Sequence, residues 1–267
     1  MSDEMPTTIL GRTGLKVTRL GIGGAYCDSV AGYRAALNCG VTYVDTARSY
    51  RDGDDERVIG EAIAGRRHEL VLATKSIQRD AVGAREDLET SLRLLGTDYV
   101  DIWQLHGLDQ PADQEQALGP SGAYEAAVKA REQGLVRFIG VTGHDWVETD
   151  VSVATGLFDT VLCWYNAAMP EPTEQLFPQA QEHHVGVVIM RTTGTDKLLA
   201  PADAPSPEAF YRYVLEHPAV SVALMGLRDV ARFQRVAQAL RKPMTLAPDE
   251  RRALESFGAR VRAAGEL

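Results

Sequence analysis

Eight short apolar runs, rich in β-branched residues and each followed by a helical pattern, recur along the 267 residues of this chain. They are Leu20-Gly21-Ile22, Val41-Thr42-Tyr43-Val44, Leu70 to Thr74, Val100 to Leu105, Val136 to Val141, Thr160 to Trp164, Val185 to Met190 and Val220 to Leu224. Runs of this kind, bounded by helix signals, read as buried parallel strands. The helical patterns lie near 30–39, 56–64, 81–95, 123–133, 174–183, 207–216, 230–240 and 248–264, with another start near Asp145. Several stop at a glycine, as Gly40, Gly96 and Gly134 do, the usual residue after a helix end. Before the first inner strand, Thr8-Ile9-Leu10 and Leu15-Lys16-Val17 flank Gly11 to Gly14 and predict a β-hairpin cap.

Such alternation over about 250 residues predicts an α/β fold, a closed (β/α)8 TIM barrel. An open doubly wound sheet is the competitor, and it would place G-x-G-x-x-G after strand one. Here strand one ends Gly21-Ile22-Gly23-Gly24, with no third glycine at that offset. No linker or composition break appears, so residues 1–267 are expected to form a single domain. Residues 107–122 and 200–207, with their prolines, read as surface loops.

Composition limits the partners. The net charge of −9 and pI near 5.2 argue against nucleic acid or an anionic membrane. No apolar run approaches the roughly 20 residues that span a bilayer, and residues 1–6 lack a signal-peptide core. Cys27, Cys39 and Cys163 are scattered, without metal-ligand spacing, which suits free thiols in a cytoplasmic protein and no metal site. Nothing in the sequence sets an oligomeric state, and a monomer is compatible with it.

In a barrel of this type the site lies at the C-terminal rim of the strands. Three successive strands end in Asp45, Lys75 and His106, and Tyr50 follows the first of them. Each residue alone has an ordinary structural explanation: a helix cap, a salt bridge, a hydrogen-bonded imidazole, a packed ring. Together their roles interlock. A phenol ionises near pKa 10, and a nearby ammonium favours the phenolate. Lys75 can act on Tyr50 in that way, Asp45 can hold Lys75 charged, and His106 can orient a carbonyl oxygen. The set fits a proton donor for an oxygen that gains negative charge. Carbonyl reduction needs such a donor with a hydride source, and no side chain supplies hydride, so a nicotinamide cofactor is expected. Gly23 and Gly24 would let a ligand approach the backbone.

The sequence resembles the aldo-keto reductase family over nearly its whole length. The resemblance is carried by residues 10–17, Asp45-Thr46-Ala47 with Tyr50, Ala73-Thr74-Lys75, residues 101–106, residues 134–141 and Tyr165-Asn166. It implies a barrel that reduces an aldehyde or ketone with NADPH, NADH remaining possible. Tyr50 would be the proton donor, with Asp45, Lys75 and His106 in support. For the cofactor it implies Thr142, Gly143 and Asn166 near the carboxamide, Met190 and Arg191 after strand seven, and Gly226, Arg228 and Arg232 at the adenosine phosphate. The family's Ser-Asn after strand five is replaced by Thr142-Gly143, followed by His144, as in one bacterial branch.

Two other readings stay open at this stage. One is a cofactor-binding redox sensor without turnover, or the same site run as an alcohol or sugar dehydrogenase. The other is a barrel lyase or aldolase forming a Schiff base at Lys75, which a lysine kept charged by Asp45 disfavours. The loops 107–122 and 191–207 are expected to shape the substrate pocket, with Tyr26 and Trp164 as its apolar walls.

Overall fold

The computed structural model describes residues 4–242 and 244–265. A two-stranded antiparallel hairpin, β1 (Thr7–Ile9) and β2 (Lys16–Thr18), precedes the barrel. The inner strands are β3 (Leu20–Gly23), β4 (Tyr43–Asp45), β5 (Val71–Ser76), β6 (Val100–Leu105), β7 (Val136–Thr142), β8 (Thr160–Trp164), β9 (Gly186–Met190) and β10 (Val220–Gly226). All pair in parallel in chain order, and β10 returns to β3 to close the ring. The expected (β/α)8 barrel with its hairpin cap is therefore what forms.

Helices pack outside the strands: α1 (Val30–Leu37), α2 (Asp54–Ile63), α3 (Ala81–Leu95), α4 (Pro111–Leu118), α5 (Ala123–Glu132), α6 (Trp146–Ala154), α7 (Leu176–Glu182), α8 (Pro207–Glu216), α9 (Val230–Ala239) and α10 (Pro248–Ala263). Their starts follow local chemistry. Asp80 accepts from the backbone N–H groups of Val82 and Gly83, and Asp145 accepts from those of Val147 and Glu148. One expectation fails here. Residues 107–122 are not wholly loop, because α4 forms inside them. Pro111 stands in its first turn, where a missing N–H costs nothing, Asp113 meets the helix dipole, and Ala117 is buried.

The sheet divides the apolar core in two. Between strands and helices lies a large cluster that includes Leu72, Trp103, Phe158, Phe210 and Phe233. A smaller cluster fills the barrel itself. In it Leu10, Leu15 and Val17 from the cap meet Tyr43, Ile102, Leu162, Val188, Val222 and Leu224. Strand ends facing away from the cap are thereby left free for a site. No helix among the described residues is long and apolar enough to cross a membrane, and none of their His, Cys, Asp and Glu side chains gather into a metal-binding group.

Leu10 has no exposed surface and presses on the face of Gly186, where a Cβ would stand 2.7 Å from its side chain. Leu10→Ala should cost about 2–5 kcal/mol, the range for emptying a leucine site. Thermal unfolding should show a clearly lowered midpoint, and an unchanged midpoint would mean the hairpin does not seal the barrel.

Candidate active site

Asp45 ends β4, Lys75 lies near the end of β5, and His106 directly follows β6. The register sets Asp45 beside Ala73 and Lys75 beside Gln104, so the side chains converge on one rim. Lys75 is the centre. Its side chain is 1% exposed, and its Nζ donates to Asp45 Oδ2 at 2.5 Å and to the Thr46 carbonyl at 2.7 Å. A third bond reaches the Tyr50 hydroxyl oxygen at 3.3 Å. Gln104 Nε2 donates to the other oxygen of Asp45 at 2.9 Å.

Tyr50 reaches this group because the segment after β4 is tied to β5. Thr46 N donates to the Ala73 carbonyl and Arg48 N to the Lys75 carbonyl. Beyond Tyr50 the chain turns through three left-handed residues, Arg51, Asp52 and Gly53, into α2. The Arg48 guanidinium lies against Gly53 where a side chain would stand, and it pairs with buried Glu56, which also accepts from Thr74 Oγ1 at 2.6 Å. The phenol is thus fixed through backbone bonds and a buried ion pair, and none of these partners could be read from spacing.

The titration of these groups follows from burial and neighbours. Burial disfavours the charge on Lys75, but Asp45 and the Tyr50 oxygen outweigh that and raise its pKa, so it stays an ammonium. Burial pushes the Asp45 carboxyl up while Lys75 and Gln104 pull it back. For Tyr50, Lys75 pulls toward the phenolate as expected, and burial opposes it. Burial raises the phenol's pKa by more than Lys75 lowers it. At neutral pH Tyr50 is therefore protonated, and because its oxygen accepts from Lys75 its own proton is free to be donated. His106 stands edge-on to the Tyr50 ring, with centroids 5.7 Å apart. Burial, then the Lys75 charge, lowers its pKa to about 3, so it is a neutral imidazole. His106 Nδ1 is buried without a partner. The tautomer consistent with that carries its proton on Nε2, a donor suited to a carbonyl oxygen.

Asp45, Tyr50 and His106 open onto a cleft of about 380 Å³, a size usual for small-molecule sites. Of the positions expected to hold a cofactor, Gly23, Gly24, Met190, Arg191, Gly226, Arg228 and Arg232 line it. Thr142, Gly143 and Asn166 are absent from that lining. The Thr142 hydroxyl accepts from Gly107 N at 2.9 Å, Gly143 packs against Thr149, and Asn166 bridges the Arg191 carbonyl and the Ala168 N–H. Thr142 and Asn166 thus tie neighbouring segments together.

The lining also includes residues that the sequence reading did not single out: Thr192, Thr193, Thr195, Asp196 and Tyr211. Arg232 pairs with Asp196 at 2.9 Å. Arg228 stacks 3.9 Å from the Tyr26 ring centroid, and a Cβ on Gly226 would come within 2.3 Å of that same ring. Loop 191–207 shapes the cleft as expected. Segment 107–122 does not line it, and its Asp109 acts from behind by holding His144.

The sequence profile of the aldo/keto reductase family matches residues 25–200. The chain belongs to this family. Among curated aldo-keto reductases, YhdN of Bacillus subtilis is 30% identical over 208 residues, a match covering 69% of this chain and 61% of that relative. Methylglyoxal reductase YeaE of Escherichia coli is 37% identical over 125 residues, covering 45% of this chain and 40% of that protein. An aldo-keto reductase of Klebsiella pneumoniae, solved in complex with NADPH, superposes with a TM-score of 0.80 at 25% identity, over 97% of this chain and 96% of that one. The holo form of an aldo-keto reductase from Bacillus halodurans gives a TM-score of 0.79, also at 25% identity, over 95% and 96% of the two chains.

The site generates a direct test of its electrostatics. Tyrosinate absorbance of the cofactor-free protein, taken as the difference from Tyr50→Phe, should rise only above the ordinary phenol midpoint of about 10. Lys75→Met removes the main group that favours the phenolate and should move the midpoint higher still. A wild-type midpoint below 10, or a downward move in the variant, would contradict the geometry.

Proposed function

We propose that this protein reduces an aldehyde or ketone to an alcohol with NADPH, Tyr50 giving the proton. The observation that carries the reading is the Lys75 ammonium held between Asp45 and the Tyr50 oxygen at the edge of a cleft. The cleft suits a phosphate-bearing dinucleotide. Thr192 Oγ1 and Thr195 Oγ1 are buried beside it with no partner, and Arg228 and Arg232 line its far end. A planar guanidinium grips phosphate or stacks on a base. Bound there, NADPH supplies the hydride.

The chain's own residues do the rest. His106 donates from Nε2 to the carbonyl oxygen and fixes its direction. Tyr50 passes its proton to that oxygen as negative charge develops on it. Lys75 matters most at that moment, because its charge stabilises the forming phenolate more than the resting phenol. Asp45 and Gln104 hold Lys75 in place and act through it. The same donor set serves the reverse oxidation, the direction being set by cofactor ratio. NADH remains a second electron donor to compare, since Arg232 is already engaged by Asp196. A retained donor set argues against a sensor without turnover, and three free thiols suit a cytoplasmic setting.

Mixing the protein with NADPH and an aromatic aldehyde should bleach the absorbance of the reduced nicotinamide. Tyr50→Phe should slow that by about 10²–10⁴-fold, the range for a lost general acid, while NADPH still quenches protein fluorescence. Full activity in Tyr50→Phe would remove the phenol from the reaction.

A further inference from the structure

Arg191 follows β9 and holds a left-handed backbone, φ +57°. Its guanidinium carbon lies 3.8 Å from the ring centroid of Trp164, at the end of β8. That stacking turns the charge toward β8, away from the β10 side where Arg228 and Arg232 stand. Arg191 lines the cleft and is in electrostatic reach of Tyr50. Among the described residues no ion pair is formed by this arginine; the cleft's carboxylates are spent elsewhere. Asp45 serves Lys75 and Gln104, Asp196 serves Arg232, and Asp229 caps α9 (Val230–Ala239) beside Arg232.

His144 stands on the same wall. Its ring meets Trp164 edge-on, with centroids 5.5 Å apart. Nδ1 lies 2.9 Å from Asp109 Oδ2, and Asp109 Oδ1 accepts from Asp145 N at 3.0 Å. This bond fixes the ring and leaves Nε2 as its uncommitted polar atom. The indole N–H of Trp164 is also buried without an acceptor. The cleft wall thus carries a guanidinium with no carboxylate partner and an imidazole pinned by Asp109, with the Trp164 ring packed behind both.

We propose that Arg191, held by Trp164, which His144 packs against, forms an anion subsite for the substrate, and that the carbonyl compounds reduced here carry a carboxylate. A guanidinium accepts a carboxylate through two parallel bonds, and stacking on an indole keeps its plane fixed for that purpose. Binding the carboxylate there presents the carbonyl end of a short aldehyde acid to Tyr50 and His106. The inference rests on carbonyl reduction at Tyr50, and it differs from the cofactor role that the family resemblance gives Arg191.

The test compares succinic semialdehyde with butanal, which has the same chain length and no charge. The wild-type protein should favour succinic semialdehyde in kcat/KM, through KM. Arg191→Met should reduce that preference by about tenfold or more, the scale of a charge-assisted hydrogen bond, and Arg191→Lys should restore part of it. Equal handling of both aldehydes by wild type, or equal losses for both with a raised NADPH dissociation constant, would overturn the proposal and return Arg191 to the cofactor. Calorimetric titration of succinate is independent of turnover. It should show binding to wild type and weaker binding to Arg191→Met, and indistinguishable titrations would overturn the subsite. Should neither aldehyde be reduced, the activity fails, and succinate alone decides the subsite.

Discussion

A single buried ammonium organises the rim of this barrel. Lys75 is almost wholly out of water, yet it keeps its charge because Asp45, the Thr46 carbonyl and the Tyr50 oxygen surround it. A charge in such a place is tolerable only when its partners are in position. Removing one partner of a buried pair typically costs about 3–5 kcal/mol. The requirement therefore reaches well beyond the three side chains. β4, β5 and β6 must lie in register, the Thr46–Arg48 segment must follow the end of β5, and Gln104 must turn inward to satisfy Asp45.

On the proposed mechanism, the same burial explains how one phenol can be both stable and reactive. Excluding water raises the pKa of Tyr50, so its proton stays on at neutral pH. The ammonium does little for that resting form, since it meets only a neutral oxygen. Once negative charge appears on the oxygen, the attraction becomes large in a medium of low polarity. In the proposed reaction, a favourable interaction is thereby held back for the moment of proton transfer. His106, neutral through burial and through the Lys75 charge, adds a donor without adding a second cation next to the first.

The barrel and its central four residues were legible in the sequence because both rest on local signals. Each strand shows its own apolar run, and Asp45, Lys75 and His106 stand where such runs stop. What escaped was set by distant partners. Arg48 reaches Glu56, Arg232 reaches Asp196, and Arg228 covers Tyr26, and no spacing announces these meetings. Helix α4 was hidden by a polar segment that holds two prolines, although Pro111 in its first turn was a readable start signal. Family position put Thr142, Gly143 and Asn166 at the cofactor, and their structural partners were not readable from the sequence: Thr142 binds Gly107 N, Gly143 packs on Thr149, and Asn166 binds the Arg191 carbonyl. The direction of the Tyr50 shift was also out of reach, since it depends on how much water the fold excludes.

If Lys75 acts through the phenol, then its effect must vanish once the hydroxyl is gone. A double-mutant cycle on single-turnover NADPH oxidation, using Tyr50→Phe, Lys75→Met and the pair, measures that dependence. Strong non-additivity, with the double variant no slower than Tyr50→Phe, is the expected result. Rate losses that multiply independently would contradict the account, because Lys75 would then be serving the reaction by some route other than Tyr50.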